Sequence, residues 1–311
     1  MNKININIRS EVETLQKVLV HTPGLEMNLL NSQNTNEFNF DFEKKTFCEN
    51  QDFLLWDDTI YLERAIEEHR EMCQVINSLV GDKVCIQFKE LFEEYHHPWT
   101  EKEIVANLLF TRDLAFSFGS TTVVSWNSKT ARNQENILTN SLFKTHPSLN
   151  ENKVVFFHDT YPDLTIEGGD VMIFDNKTIM IGLSERTKKE SIQALLPYFL
   201  DEGFSNIVGV FLPKKRTFMH LDTVLTKIDK NDYLIYESGD PVNYINFTSS
   251  NPRGQDFTSQ NLNDIVKKFV SLGGTVFGSG TKDEKLAVSY THLRAHETKA
   301  NIVCRRLLEK K

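Results

Sequence analysis

A chain of 311 residues, 40% hydrophobic and 25% charged, has apolar material for one large core or two smaller ones. Its net charge of -8 argues against nucleic acid as a partner, and its apolar runs are strand-sized, too short to cross a bilayer. Four scattered cysteines (Cys48, Cys73, Cys85, Cys304) form no CxxC pair and the N-terminus shows no secretory pattern, so a cytoplasmic protein without zinc knuckle or disulfide framework is expected.

Lys17-Val18-Leu19-Val20-His21 reads as a buried strand, stopped by Thr22-Pro23-Gly24. Residues 30–52 are rich in Asn, Gln and Glu and read as a surface loop. From Asp57 onward Ile60, Leu62, Ile66, Met72, Ile76 and Leu79 recur at helical spacing, with Asp57 or Asp58 as the cap. That helix leads through Gly81-Asp82 into a strand at 84–86. His96-His97 beside Pro98 reads as a loop without a ligand role.

A faint repeat follows. Strands at 113–118 and 122–126, a helix at 131–144 and a strand at 154–158 are expected first. The same order recurs after Asp170, with strands at 171–174 and 179–183, a helix near 187–202 and a strand at 207–212. It comes again after Asp222, with strands at 223–228 and 233–237, a helix near 261–271 and a strand at 275–277. The pattern predicts an α/β chain of ββαβ modules in a circular array, with the N-terminal elements as a partial further unit and an acid opening each module at equivalent places around one cavity.

Acids converging on one cavity repel one another unless a cation sits among them. A guanidinium group suits that place, being planar, permanently charged and able to pair with carboxylates through forked donors. Asp113 and Asp222 are candidates to hold its two faces, and the glycines of Glu167-Gly168-Gly169-Asp170 let the backbone fold tightly against it. Glu167 and His220 are candidates to move protons. Arg132 and Arg186 offer positive charge to a substrate carboxylate. Taken singly, each pattern is commonplace: Glu-Gly-Gly-Asp is a frequent surface turn, His-x-Asp a frequent surface pair, and Arg112-Asp113 or Glu185-Arg186 a solvated ion pair. Their recurrence in phase with the modules favours a site.

The segments Asn107-Leu-Leu-Phe-Thr-Arg-Asp113, Ala131-Arg132, Phe143-Lys-Thr-His-Pro147, Glu167-Gly-Gly-Asp170, Gly182-Leu-Ser-Glu-Arg-Thr187 and Met219-His-Leu-Asp-Thr223 resemble the arginine deiminases, in order and at compatible spacing. With Val18-Leu-Val-His-Thr-Pro-Gly24 the resemblance covers roughly residues 4 to 280. It implies a five-bladed pseudosymmetric α/β propeller, with the helical bundle inserted in many members largely missing. It also implies hydrolysis of L-arginine to citrulline and ammonia through a covalent amidino-cysteine intermediate, with no metal or organic cofactor. Carried over by motif, Asp113 and Asp222 bind the guanidinium, Glu167 and His220 shuttle protons, and Asn107, Arg132 and Arg186 hold the amino-acid end. Asp170 is assigned a structural role.

The departure is the nucleophile. The family's cysteine lies in a Gly/Arg-rich segment of the last module, which this sequence lacks. Cys304 stands in a run unlike that segment, and the other three cysteines precede the site motifs. The last 24 residues hold six Lys/Arg against two Glu, a net of +4 that leaves -12 for the rest. Residues 288 to 311 resemble translated adapter read-through, so the expected division is a catalytic domain at 1–287, lacking most or all of its last module, and a foreign basic tail at 288–311. The chain as written is then expected to be inactive, and a homo-oligomer is compatible with it. Other readings are a different guanidine-modifying hydrolase or amidinotransferase, a non-catalytic arginine binder, and a metallohydrolase built on His220, Asp222 and Asp170.

Overall fold

The computed structural model describes residues 3–29, 38–41, 46–49, 61–95, 105–214, 218–236, 241–269 and 276–279. Strand β1 (Val18–Val20) is followed by a hairpin, β2 (Phe38–Asp41) and β3 (Thr46–Glu49), where the composition alone suggests a loop. The register sets Phe38 opposite Glu49 and Phe40 opposite Phe47, and aromatic residues are enriched in strands. Helix α1 (Leu62–Val80) buries His69, Cys73 and Ile76 on one face. It stops at Gly81, whose φ of 144° favours glycine and whose amide donates to the Asn77 carbonyl at 3.0 Å. The expected caps Asp57 and Asp58 lie outside the described residues, as do His96 and His97. Strand β4 (Cys85–Gln87) pairs in parallel with β1 and runs directly into α2 (Phe88–Tyr95).

Three ββαβ units follow. In the first, β5 (Ala115–Phe118) and β6 (Thr121–Val124) are antiparallel, α3 (Asn133–Thr145) crosses over, and β7 (Lys153–Phe156) lies parallel to β6 before the short α4 (Phe157–Thr160). In the second, β8 (Val171–Ile173), β9 (Thr178–Leu183), α5 (Lys189–Asp201) and β10 (Asn206–Phe211) repeat that pairing. The third begins with β11 (Leu225–Lys227) and β12 (Tyr233–Tyr236). A hairpin that the repeat pattern does not foresee, β13 (Val242–Phe247) and β14 (Gln255–Ser259), then intervenes before α6 (Leu262–Phe269) and β15 (Val276–Ser279). Strand β13 pairs antiparallel with β10 of the preceding unit, so that sheet has the order β14-β13-β10-β9-β8. The outcome is an α/β fold of small mixed sheets.

Central strands are buried on both faces. Along β9, Ile179 and Ile181 pack with Phe199, Ile207 and Phe247, while Met180 points the other way into a second core with Val208, Val210 and Tyr233. Such two-sided burial explains why these stretches read as continuous apolar runs rather than alternating ones. A third core under α2 and α3 gathers Phe88, Leu108, Leu114 and Leu142. Each side chain of this size withdrawn from water contributes roughly 1.5–3 kcal/mol.

Each unit opens on a short 3-10 turn: Thr111–Asp113, Gly168–Asp170 and Leu221–Thr223. The middle turn touches both of the others. The sheets thus act as mounts that bring three sequence-distant turns together. The acids are not in the same phase, however: Asp113 and Asp170 end their turns, whereas Asp222 stands one position earlier in its own. Among the described residues no helix is long and apolar enough to cross a membrane.

Candidate active site

The extended residue before each of the last two turns carries a functional side chain: Glu167 (φ -122°, ψ 138°) and His220 (φ -140°, ψ 160°). Both are buried, and Glu167 Oε2 lies 2.7 Å from His220 Nε2. The other carboxylate oxygen, Oε1, accepts from the Ser128 amide at 2.9 Å and from the Ser128 hydroxyl at 3.3 Å. Arg186 Nη1 donates to Glu167 Oε2 at 3.2 Å. Burial alone raises a carboxyl pKa, yet the His220 hydrogen bond and the charges of His220, Arg186 and Arg132 hold Glu167 well below its ordinary value. Burial opposes the charge on His220 too, but Asp113, Glu167 and Asp170 prevail and lift the imidazole to about 10. At neutral pH the pair is therefore an imidazolium donating to a carboxylate.

Gly169 is where the turns meet. A Cβ built on it would stand 2.7 Å from Asp113 Oδ1, 2.8 Å from His220 Nδ1 and 3.0 Å from Asp222 Oδ2. These three groups, from the first and third units, crowd around one point on the second, and only glycine leaves it open. The Gly169 amide donates to Asp113 Oδ1 at 3.1 Å, and His220 Nδ1 is 3.8 Å from the same oxygen. Next door, the Gly168 Cα abuts the Arg112 carbonyl, and the Arg112 side chain holds the turn by donating to Gly168 O at 3.1 Å and Val171 O at 2.6 Å.

Asp113, Asp222, Glu167 and His220 are thus brought together as the sequence suggests. Asp170 is buried nearby but faces elsewhere: it accepts from Ser184 Oγ at 2.8 Å and the Leu221 amide at 3.0 Å and packs on Gly182. Burial pushes its carboxyl up to about 7, only partly offset by His220 and the Thr187 and Ser184 hydroxyls. This is the geometry of a strut between two turns, and it departs from the expectation that every opening acid lines the cavity.

The arginines differ. Arg132 is buried; its Nη1 donates to Asp113 Oδ2 at 2.7 Å, Nε to Glu135 Oε2 at 2.6 Å, and Nη2 to the Asn107 and Phe110 carbonyls at 3.0 and 3.1 Å. Its guanidinium is largely engaged within the protein, and Asn107 meets it through the main chain. Arg186 is less committed, because its buried Nε has no hydrogen-bond partner among the described residues. A buried donor left open suits an incoming carboxylate. Ser128 and Glu135 were not singled out from sequence. Ser128 carries no signal, whereas Glu135 stands three residues after Arg132 at the spacing of a helical ion pair.

Asp113, Glu167 and His220 each bring one possible ligand atom within 4.8 Å of the others, which could hold a metal ion. In the structure these groups are joined to one another and to their neighbours: His220 Nε2 to Glu167 Oε2 at 2.7 Å, and Asp113 to the Gly169 amide and Arg132 Nη1 at 3.1 and 2.7 Å. Cys73 is buried and Cys85 half-buried in the first part of the fold; nothing is described of the Cys48 side chain, and Cys304 and the segment 288–311 lie outside the described residues.

The chain matches a sequence model of the family described as arginine deiminase over residues 94–275. It is 28% identical to the arginine deiminase of Borrelia garinii over 302 residues, covering 76% of this chain and 70% of that one. It is 23% identical to that of Clostridium perfringens over 357 residues, covering 91% and 83%. Among solved structures it superposes on a dimethylarginine dimethylaminohydrolase with a TM-score of 0.51 at 14% identity, covering 88% and 79% of the two chains. It also superposes on the N-terminal domain of ArgZ, an arginine dihydrolase from cyanobacteria, with a TM-score of 0.52 at 17% identity, covering 75% and 70%. Both structural likenesses speak for the fold alone.

Proposed function

The chain belongs to the arginine deiminase family, enzymes that hydrolyse C–N bonds of linear amidines, and we propose that its site is built to take L-arginine to L-citrulline and ammonia. The observation that carries this reading is the convergence of Asp113, Asp222 and His220 on the open Cα of Gly169, with Glu167 behind the imidazole. A guanidinium entering there meets carboxylates on two sides. The protein's own charges near the site are paired: Arg132 with Asp113 and Glu135, and Arg186 and His220 with Glu167. A ligand carboxylate finds an open donor in Arg186 Nε, with Arg132 and Asn107 nearby, and this favours arginine over a decarboxylated analogue.

In the family mechanism a thiolate attacks the guanidinium carbon, ammonia leaves with a proton from the His220–Glu167 pair, and water resolves the amidino-enzyme to citrulline. Asp113 and Asp222 keep the guanidinium planar and charged at the point of attack, and the imidazolium supplies the proton that makes ammonia the leaving group. Among the described residues no cysteine stands at the site. We therefore take the 311-residue chain to bind arginine without turning it over, since removal of a nucleophile from such a unit costs on the order of a millionfold. The modules are taken to close as an α/β propeller, five-bladed in the family, within the 1–287 domain.

Isothermal titration with L-arginine and with agmatine, beside a citrulline assay, tests the reading. Saturable binding of arginine with much weaker binding of agmatine is expected. Equal affinity for both would overturn the carboxylate argument, and citrulline formation would overturn the inactivity.

A further inference from the structure

We propose that Cys73 and Cys85 form an oxidisable dithiol, a modification site for peroxides that closes into a disulfide stapling α1 to β4. Four contacts fix the geometry. Cys73 and Asn77 lie one turn apart on the same face of α1, and Asn77 Oδ1 accepts the backbone amides of Val84 and Cys85 at 2.8 and 3.1 Å. Cys85 is thereby held against the helix by its own main chain. Its Sγ points at the helix, 3.9 Å from the Cys73 carbonyl oxygen. Gln87, on the same side of β4 as Cys85, brings its Nε2 to 3.9 Å from Cys73 Sγ, so this face of the strand looks onto the Cys73 thiol. These contacts set the Cys85 thiol against the helix turn that carries Cys73, the approach a disulfide requires.

The surroundings suit the chemistry. His69, one turn before Cys73, sits with Nδ1 3.8 Å from Cys73 Sγ and 3.1 Å from Thr22 Oγ1. Burial, aided by the charge of His21, pushes His69 down to about 4, so a neutral imidazole faces the thiol at neutral pH. The Cys85 thiol is itself lowered by its hydrogen bond to Cys73, against the opposing effect of burial. As the more accessible thiol, Cys85 is the entry point. Its thiolate displaces water from a peroxide to give a sulfenic acid. The Cys73 sulfur then attacks the Cys85 sulfur, the S–O bond breaks, and the hydroxyl leaves as water with the Cys73 proton. Two thiols and one hydrogen peroxide thus become one disulfide and two waters.

The staple would be felt near the candidate site. Strand β4 pairs with β1 through Leu19 and Ile86, and the Leu19 carbonyl accepts from Thr111 Oγ1 at 3.0 Å, in the turn that carries Asp113.

The full chain treated with hydrogen peroxide and then alkylated is mapped by peptide mass spectrometry. A cross-linked peptide joining residues 73 and 85, lighter by two hydrogens and opened by dithiothreitol, is expected as the main product. Cys73→Ser should leave a Cys85 sulfenic acid that dimedone traps, and Cys85→Ser should abolish the cross-link. Sulfinic acids at either cysteine without the 73–85 peptide, or linkages through Cys48 or Cys304 in its place, would overturn the proposal. Cys85→Ala provides the same test if the serine variant fails to fold.

Discussion

His220 shows what one residue gains from its neighbours. Its lifted pKa exists only while Glu167 and Asp113 keep their charges, so Glu167→Gln should drop the imidazole from about 10 toward its ordinary 6.5. Histidine titration by NMR reads that shift directly. The same variant leaves the Ser128 contacts possible but removes the anion that Arg186 faces, and arginine affinity should fall by about 10-fold or more. At this scale most of the candidate site was legible in the sequence, because Glu167, His220 and Asp222 sit in short strings whose spacing is kept by local backbone geometry. Two things were not. Ser128 acts on Glu167 across 39 positions, with its amide as much as its hydroxyl, and any residue has an amide. The partners through which Asp170 fills the structural role expected of it were equally hidden, since Ser184, Gly182 and the Leu221 amide belong to other elements.

Among the elements, the three opening turns depend on glycine to different degrees. Gly169→Ala would drive a methyl group against the ends of Asp113, His220 and Asp222, the first two held by hydrogen bonds. Loss of arginine binding with the fold retained is expected, checked by calorimetry beside circular dichroism. Gly168→Ala would instead press on the Arg112 main chain, which cannot swing aside, and should cost about 1–3 kcal/mol in a urea titration. The strands and helices of the repeat were readable because their apolar runs and boundaries are local. The hairpin of β13 and β14 was not: Val242–Phe247 mixes Asn with Tyr and Phe, and only the waiting edge of β10 makes it a strand. The hairpin of β2 and β3 was masked in the same way by its polar composition.

For the whole molecule, pH sets the strength of the buried network. His220, with a folded pKa near 10 against 6.5 in the unfolded chain, contributes stability that is complete below about 6.5 and lost as pH rises through about 10. Asp170, raised to about 7 from 3.8, keeps a proton that the unfolded chain has released, so it too weakens the fold as pH climbs from 3.8 to 7. Glu167 acts oppositely: depressed in the fold, it supports stability above its ordinary 4.5 and withdraws that support as pH falls. Urea midpoints should therefore decline between pH 7 and pH 10, and the decline should flatten in His220→Gln. A second whole-molecule anchor is Glu202, whose carboxylate accepts from Arg9 at 2.9 Å, Ser120 Oγ at 2.7 Å and Thr121 Oγ1 at 2.7 Å. It joins the N-terminal segment, the β5–β6 turn and the end of α5. Glu202→Ala strands those donors, and a loss of roughly 2–3 kcal/mol in the same titration is expected.

The registration of β13 on β10 has a further consequence for how the molecule comes apart. The polypeptide leaves the third unit after β12, clasps the sheet of the second, and only then returns to finish its own with β15. Neither unit can be peeled away while the other stays whole, because opening one strips a partner strand from its neighbour. Amides of Val208 and Val210 should exchange with solvent at the same slow rate as that of Ile235, as members of one cooperative block rather than two beads on a string.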